Sequence, residues 1–170
     1  TDPEDIISLI DERTSVVTLS HVEYSSGQRY DLSRFAKAAH AVGALLVVDA
    51  TQSLGMVPIE AAKTGADAIV SSGYKWLRGT YGAAVGYISP SVRPHLYPGL
   101  LGFRSHNDIW DLQADRLTLP DDASRFEYTT IHFGAVLGLA AAVNEICEIG
   151  SEEVWAHDIG LADKVIEGAN

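Results

Sequence analysis

Apolar and polar positions alternate in blocks along the chain, and the blocks switch between strand-like and helix-like spacing. VVTLS (16–20) is a short β-branched run and reads as a buried strand. Leu32, Phe35, Ala36, Ala39 and Val42 then recur at helical spacing, and Gly43 supplies the stop. ALLVVDA (44–50) is continuously apolar up to its aspartate, the pattern of a strand covered on both faces. A short helix near residues 59–63 ends at Gly65, and ADAIVSS (66–72) and AAVGYIS (83–89) read as two further strands. Asp2 followed by Pro3 predicts a capped helix through Asp11. Residues 131–149 and 151–168 have helical patterns separated by Gly150. Between them and the last strand, residues 94–125 carry prolines, glycines and scattered aromatics with no sustained period. A loop that long in a compact domain is functional or lies against a partner.

Strands alternating with helices predict an α/β fold with a mainly parallel sheet built from right-handed βαβ units. Ligands of such sheets gather at the carboxyl ends of strands. Three strand ends are therefore of interest, and they carry SHVEYSSG (20–27), DATQSLG (49–55) and SGYKWLRG (72–79). One crossover and a short strand fit between Asp49 and Lys75, so the two can sit on neighbouring strands with tips roughly 5–10 Å apart. A carboxylate and an amine at that separation match the two ends of an aromatic ring. Taken singly, each residue has a plainer reading. An aspartate at a strand end is most often a turn former, and a lysine after a turn is most often a solvated charge. The ordered set, strand-Asp-x-x-Gln and then Ser-x-x-Lys, is hard to obtain from turn preferences alone.

Composition narrows the function classes. A net charge of −11 with no basic stripe argues against a nucleic-acid partner. No apolar run reaches the roughly 18–20 residues of a membrane span. The single cysteine, Cys147, forbids an internal disulfide and fits a reducing cytoplasm. Its place in a helical NEICEI segment suits packing or a helix flank better than catalysis. His95, His106, His132 and His157 show no metal-ligand spacing. The chain starts without methionine and stops at GAN after a helical pattern, so it is expected to be a piece of a longer protein.

SHVEYSSG (20–27), VVDATQSLG (47–55), SSGYKWLRGTYG (71–82) and RFEYTT (125–130) together resemble the class V aminotransferase family of fold-type I pyridoxal phosphate enzymes, which includes cysteine desulfurases, selenocysteine lyases, kynureninases and isopenicillin-N-epimerase-like proteins. The resemblance spans nearly the whole chain. It implies a three-layer αβα large domain, with residues 1–170 forming the central part and the N-terminal segment and small domain absent. It implies pyridoxal 5′-phosphate as cofactor and an amino acid as substrate. Lys75 would form the internal aldimine and later shuttle protons. Asp49 would pair with the pyridine nitrogen, and Gln52 would bond the ring 3′-oxygen. Ser72 and Tyr74 would bind the phosphate. Thr130 would reach the phosphate of a neighbouring subunit, which implies a homodimer. His21 and Tyr24, in the first tip motif, would lie near the ring.

Departures from the family pattern bear on the reaction. Tyr74 replaces a common histidine, Thr129 a common glycine and Thr80 a common proline. Tyr24 stands where desulfurases have asparagine. With no desulfurase cysteine segment in the chain, the resemblance ranks an aminotransferase-like enzyme first, ahead of a desulfurase, selenocysteine lyase or epimerase. Arg104, in the long loop, is a weaker candidate for a substrate carboxylate. Readings from other classes are a nucleotide-binding or hydrolase domain and a non-catalytic interaction module. The first lacks a glycine-rich phosphate loop and a G-x-S-x-G elbow, and the retained Lys75, Asp49 and Gln52 argue against the second.

Overall fold

The computed structural model describes residues 2–169. Its centre is a four-stranded sheet of β1 (Val16–Ser20), β2 (Leu45–Asp49), β3 (Ala68–Ser72) and β4 (Ala84–Ile88), which lie side by side in that order. The first three strands are parallel, whereas β4 runs antiparallel to β3. The mainly parallel α/β architecture is as expected, and the reversed edge strand has a simple cause. Parallel crossovers take a dozen or more residues and usually a helix, and no helix separates Ser72 from Ala84.

Helices α1 (Pro3–Ile7), α2 (Leu32–Ala41) and α3 (Ala61–Thr64) form between the strands or before them. α2 begins where the Asp31 carboxylate accepts from the Ser33 N–H at 3.0 Å. Its stripe of Leu32, Phe35, Ala36 and Ala39 is buried against Val17, Leu46, Val48 and Ile69. Asp67 binds this layer to the sheet. Its buried carboxylate accepts from the Leu46 N–H at 2.7 Å and meets His40 Nε2 at 2.9 Å. α1 is shorter than its sequence pattern, because Asp11 folds back on Arg13 and Thr14 in a turn rather than continuing the helix.

Strand periodicity splits the sheet into two unequal faces. Val17, Leu46, Val48 and Ile69 point into the helix layer. Val16, Leu45, Val47 and Val70 share the other face with Asp49 and Ser72, by alternation and register. That face is only partly covered: Leu45 and Val47 are half-buried, and Val16 and Val70 are 51% and 46% exposed. The continuous apolar run of β2 thus overstates the cover it receives within the described residues.

After β4 come two 3-10 turns, Arg93–His95 and Ala123–Phe126, with an irregular loop between them that exposes Tyr97, Phe103 and Trp110. Helices α4 (Phe133–Ile149) and α5 (Ser151–Ala169) then meet at an 81° bend. No single helix among the described residues is long and apolar enough to cross a membrane.

Candidate active site

All three strand tips open at the same carboxyl edge. Ser20 is in register with Asp49, and Asp49 with Val70, so the residues that follow β1, β2 and β3 are immediate neighbours. The neighbouring-strand placement expected of Asp49 and Lys75 is what the sheet order produces. Ser20, Tyr24, Asp49, Thr51, Gln52 and Lys75 line one cavity of about 200 Å³ there.

The Asp49 tip is held on both sides. Asp49 Oδ1 accepts from the Thr51 N–H at 2.8 Å, while Oδ2 has no partner among the described residues. The Ala50 N–H donates to the Val70 carbonyl at 2.7 Å, which extends the ladder one residue past β2. The Thr51 hydroxyl accepts from the Ser72 N–H at 3.0 Å. On the other flank the His21 N–H donates to the Asp49 carbonyl at 2.8 Å, and His21 Nδ1 meets the fully buried Ser53 hydroxyl at 3.0 Å.

Lys75 rides on a loop closed upon itself. The Gly79 N–H donates to the Gly73 carbonyl at 2.8 Å, the Arg78 N–H to the Lys75 carbonyl at 2.9 Å, and the Gly73 N–H to the Ala83 carbonyl at 3.0 Å. Side chains have little room on this loop: a Cβ on Gly79 would stand 2.7 Å from a Leu139 methyl of α4, and one on Gly73 would stand 2.8 Å from the Ala83 carbonyl oxygen. Arg78 takes a left-handed backbone, φ 57°, and pairs with Glu145 of α4 at 3.1 Å. The Lys75 amine has no carboxylate partner among the described residues and borders the cavity.

The predicted site residues divide accordingly. Lys75, Asp49, Gln52 and Tyr24 come together around the cavity. Ser72 joins them through Thr51. Tyr74 is partly exposed and stacks on Tyr81 with ring centroids 4.4 Å apart. Thr130 lies exposed in the irregular segment before α4, outside the cavity lining. His21 does not line this cavity. It is 7% exposed, engages Ser53, and lines a different cavity beside the start of α2. Burial, and secondarily the positive charge of Arg29, holds its imidazole below the ordinary value of 6.5, so the neutral ring is favoured. Arg104 is also committed within the chain, to Glu127 at 2.8 Å. Cys147 is exposed on α4, a flank position. Among the described residues no cluster of histidine, cysteine and carboxylate side chains could hold a metal ion.

Thr51 and Ser20 are the lining residues that motif spacing passed over. Thr51 sits inside DATQ, where the aspartate and glutamine draw attention and a hydroxyl between them reads as turn filler.

The carboxyl edge of this α/β sheet thus joins Lys75, without a carboxylate partner among the described residues, to the Asp49 carboxylate and Gln52. The family model for class V aminotransferases matches residues 1–169, and the chain belongs to that family of pyridoxal-phosphate-dependent enzymes. It is 30% identical over 164 residues to a probable cysteine desulfurase of Methanothermobacter thermautotrophicus, covering 96% of this chain and 40% of that protein. A kynureninase of Pseudomonas fluorescens is 34% identical over 106 residues, 62% of this chain and 26% of that protein. Among solved structures, the apo cysteine desulfurase of Thermococcus onnurineus superposes with a TM-score of 0.83 at 30% identity, covering 98% of this chain and 41% of that one. The chain therefore spans about two-fifths of the length of these desulfurases. Relatives described as cysteine desulfurases recur among both the similar proteins and the similar solved structures.

Proposed function

We propose that this chain is the cofactor-binding centre of the large domain of a pyridoxal-phosphate enzyme acting on an amino acid, with carbon–sulfur bond cleavage of the cysteine desulfurase type ahead of transamination. The observation that carries the reading is the single cavity bordered by Lys75, Asp49 and Gln52. Its free polar atoms fit the cofactor's chemistry: an amine for an aldehyde, a carboxylate oxygen for a protonated ring nitrogen, an amide for a ring hydroxyl. Bound there, pyridoxal phosphate supplies an electron sink for the bond broken at the substrate's α-carbon.

Each residue then has a task. Lys75 Nζ would hold the cofactor covalently and would be the group that moves a proton to or from the substrate's α-carbon. Asp49 Oδ2 holds a proton on the ring nitrogen, with Oδ1 locked by the Thr51 N–H so that the carboxylate keeps its orientation. The Gln52 amide and the Tyr24 hydroxyl orient the ring oxygen's edge. The Ser72 hydroxyl, without a partner among the described residues, and Tyr74 hold the phosphate. Thr130 completes the phosphate site of a second subunit, supported by its exposure and by the apolar loop that precedes it.

The test uses full-length protein loaded with pyridoxal phosphate. A visible absorbance band is expected, and borohydride followed by peptide mapping should place the label on Lys75. Lys75→Ala should lose both band and label. L-Cysteine should yield alanine with its sulfur left as a persulfide on a cysteine thiol of the full-length protein, released as sulfide when a dithiol reductant is added, without a stoichiometric keto acid. A band that persists in Lys75→Ala overturns the anchor, and keto acid as the main product returns the reaction to transamination.

A further inference from the structure

The acidic end and the phosphate end of this cradle are built on different strands, and Thr51 spans them. Its backbone N–H donates to Asp49 Oδ1 at 2.8 Å, and its hydroxyl oxygen accepts from the Ser72 N–H at 3.0 Å. The half-buried Thr51 also lines the cavity between Asp49 and Lys75. Backbone ladder bonds tie Asp49 to β3 only as far as Ala50. Beyond that point the strands diverge into separate loops, and the Thr51–Ser72 bond is what connects them next. A ligand gripped at both ends needs both grips at one spacing, since a small misplacement of either weakens the whole contact.

We propose that Thr51 is a positioning residue that sets the spacing between the Asp49 carboxylate and Ser72, so that the ring nitrogen and the phosphate of one cofactor are held together. The inference rests on the reading of this cavity as the pyridoxal-phosphate site. The hydroxyl, rather than the bulk of the side chain, is the active feature. Without it the Ser72 N–H loses its acceptor and the β3 tip is free to shift relative to Asp49.

Full-length protein is stripped of cofactor and titrated with pyridoxal phosphate, comparing the parent with Thr51→Val, Thr51→Ala and Thr51→Ser. Two quantities are read: the cofactor dissociation constant, and the visible circular dichroism per bound cofactor at saturation, which reports how the ring is held. Thr51→Val and Thr51→Ala should each weaken binding about tenfold, as loss of one buried hydrogen bond does, and should lower the ellipticity per cofactor. Thr51→Ser should keep affinity within about twofold and retain the parent ellipticity, because it keeps the acceptor oxygen. Parent-like affinity and ellipticity in Thr51→Val overturn the proposal. So does a Thr51→Ser protein as impaired as Thr51→Val, because the methyl group would then be what matters. A parent protein that shows no visible band, or whose borohydride label falls on a residue other than Lys75, overturns the cofactor reading itself and the proposal with it.

Discussion

Gly55 is the point where the loop behind Gln52 touches the loop that carries Lys75, and replacing it by alanine should disturb both. A Cβ there would lie 2.5 Å from the Trp76 carbonyl oxygen, 2.7 Å from its carbon and 2.9 Å from the Leu77 nitrogen. All three are backbone atoms, so no side chain can swing aside. To reach ordinary contact at 3.4 Å the Trp76 peptide must retreat by about 1 Å. Gly55 also has φ +104°, which costs an L-residue about 1–2 kcal/mol. Overpacking adds about 1–3 kcal/mol, so Gly55→Ala should lose about 2–5 kcal/mol. Gly27 is the control: its φ is +71°, yet nothing lies within 4 Å of the added atom. Gly27→Ala should therefore show the backbone cost alone, about 1–2 kcal/mol. Urea unfolding of the cofactor-free full-length variants measures both. Because Trp76 follows Lys75 directly, Gly55→Ala should also slow turnover about 10²-fold, the usual effect of a 1 Å displacement at a reacting group. Equal stability losses in the two variants would refute the close-contact reasoning.

Other expectations follow from the same geometry. Asp67→Ala removes the acceptor of the Leu46 N–H between β2 and β3 and should cost about 1–3 kcal/mol by urea unfolding, with His40 gaining exposure to solvent. Arg78→Asn should change stability by less than about 1 kcal/mol, since asparagine tolerates the left-handed backbone and the exposed Glu145 pair is weak. Arg78→Val, β-branched at the same φ, should cost more than about 2 kcal/mol. His21, with its folded-state affinity for protons lowered by burial, leaves the unfolded chain binding more protons in acid. Stability should be fully present above pH 6.5 and fall as pH drops below it towards the lowered folded value, and His21→Gln should flatten that slope.

The strands and the long helices were legible because each carries its own period. VVTLS matches β1, ALLVVDA runs one residue past β2 at each end, and the Leu32, Phe35, Ala36, Ala39 stripe is the buried face of α2. α1 was overextended because apolar Leu9 and Ile10 keep a helical rhythm that the Asp11 turn interrupts. The antiparallel direction of β4 was not legible, because a strand has the same side-chain alternation whichever way it runs. At the site, Lys75, Asp49 and Gln52 stood out by residue type and order. For His21 a place near the ring and a structural role at the strand end were equally open in the sequence, and its partner, the buried Ser53 hydroxyl, is distant in sequence.

By itself the sequence determined the element types, the parallel core and the three chemistry-bearing tips, because these follow from local periodicity and residue chemistry. The tertiary structure decided which tips share a cavity, which face of the sheet Asp49 and Ser72 occupy, and that Thr51 links them. Those outcomes depend on register between strands, and a shift of one residue would send every side chain to the opposite face.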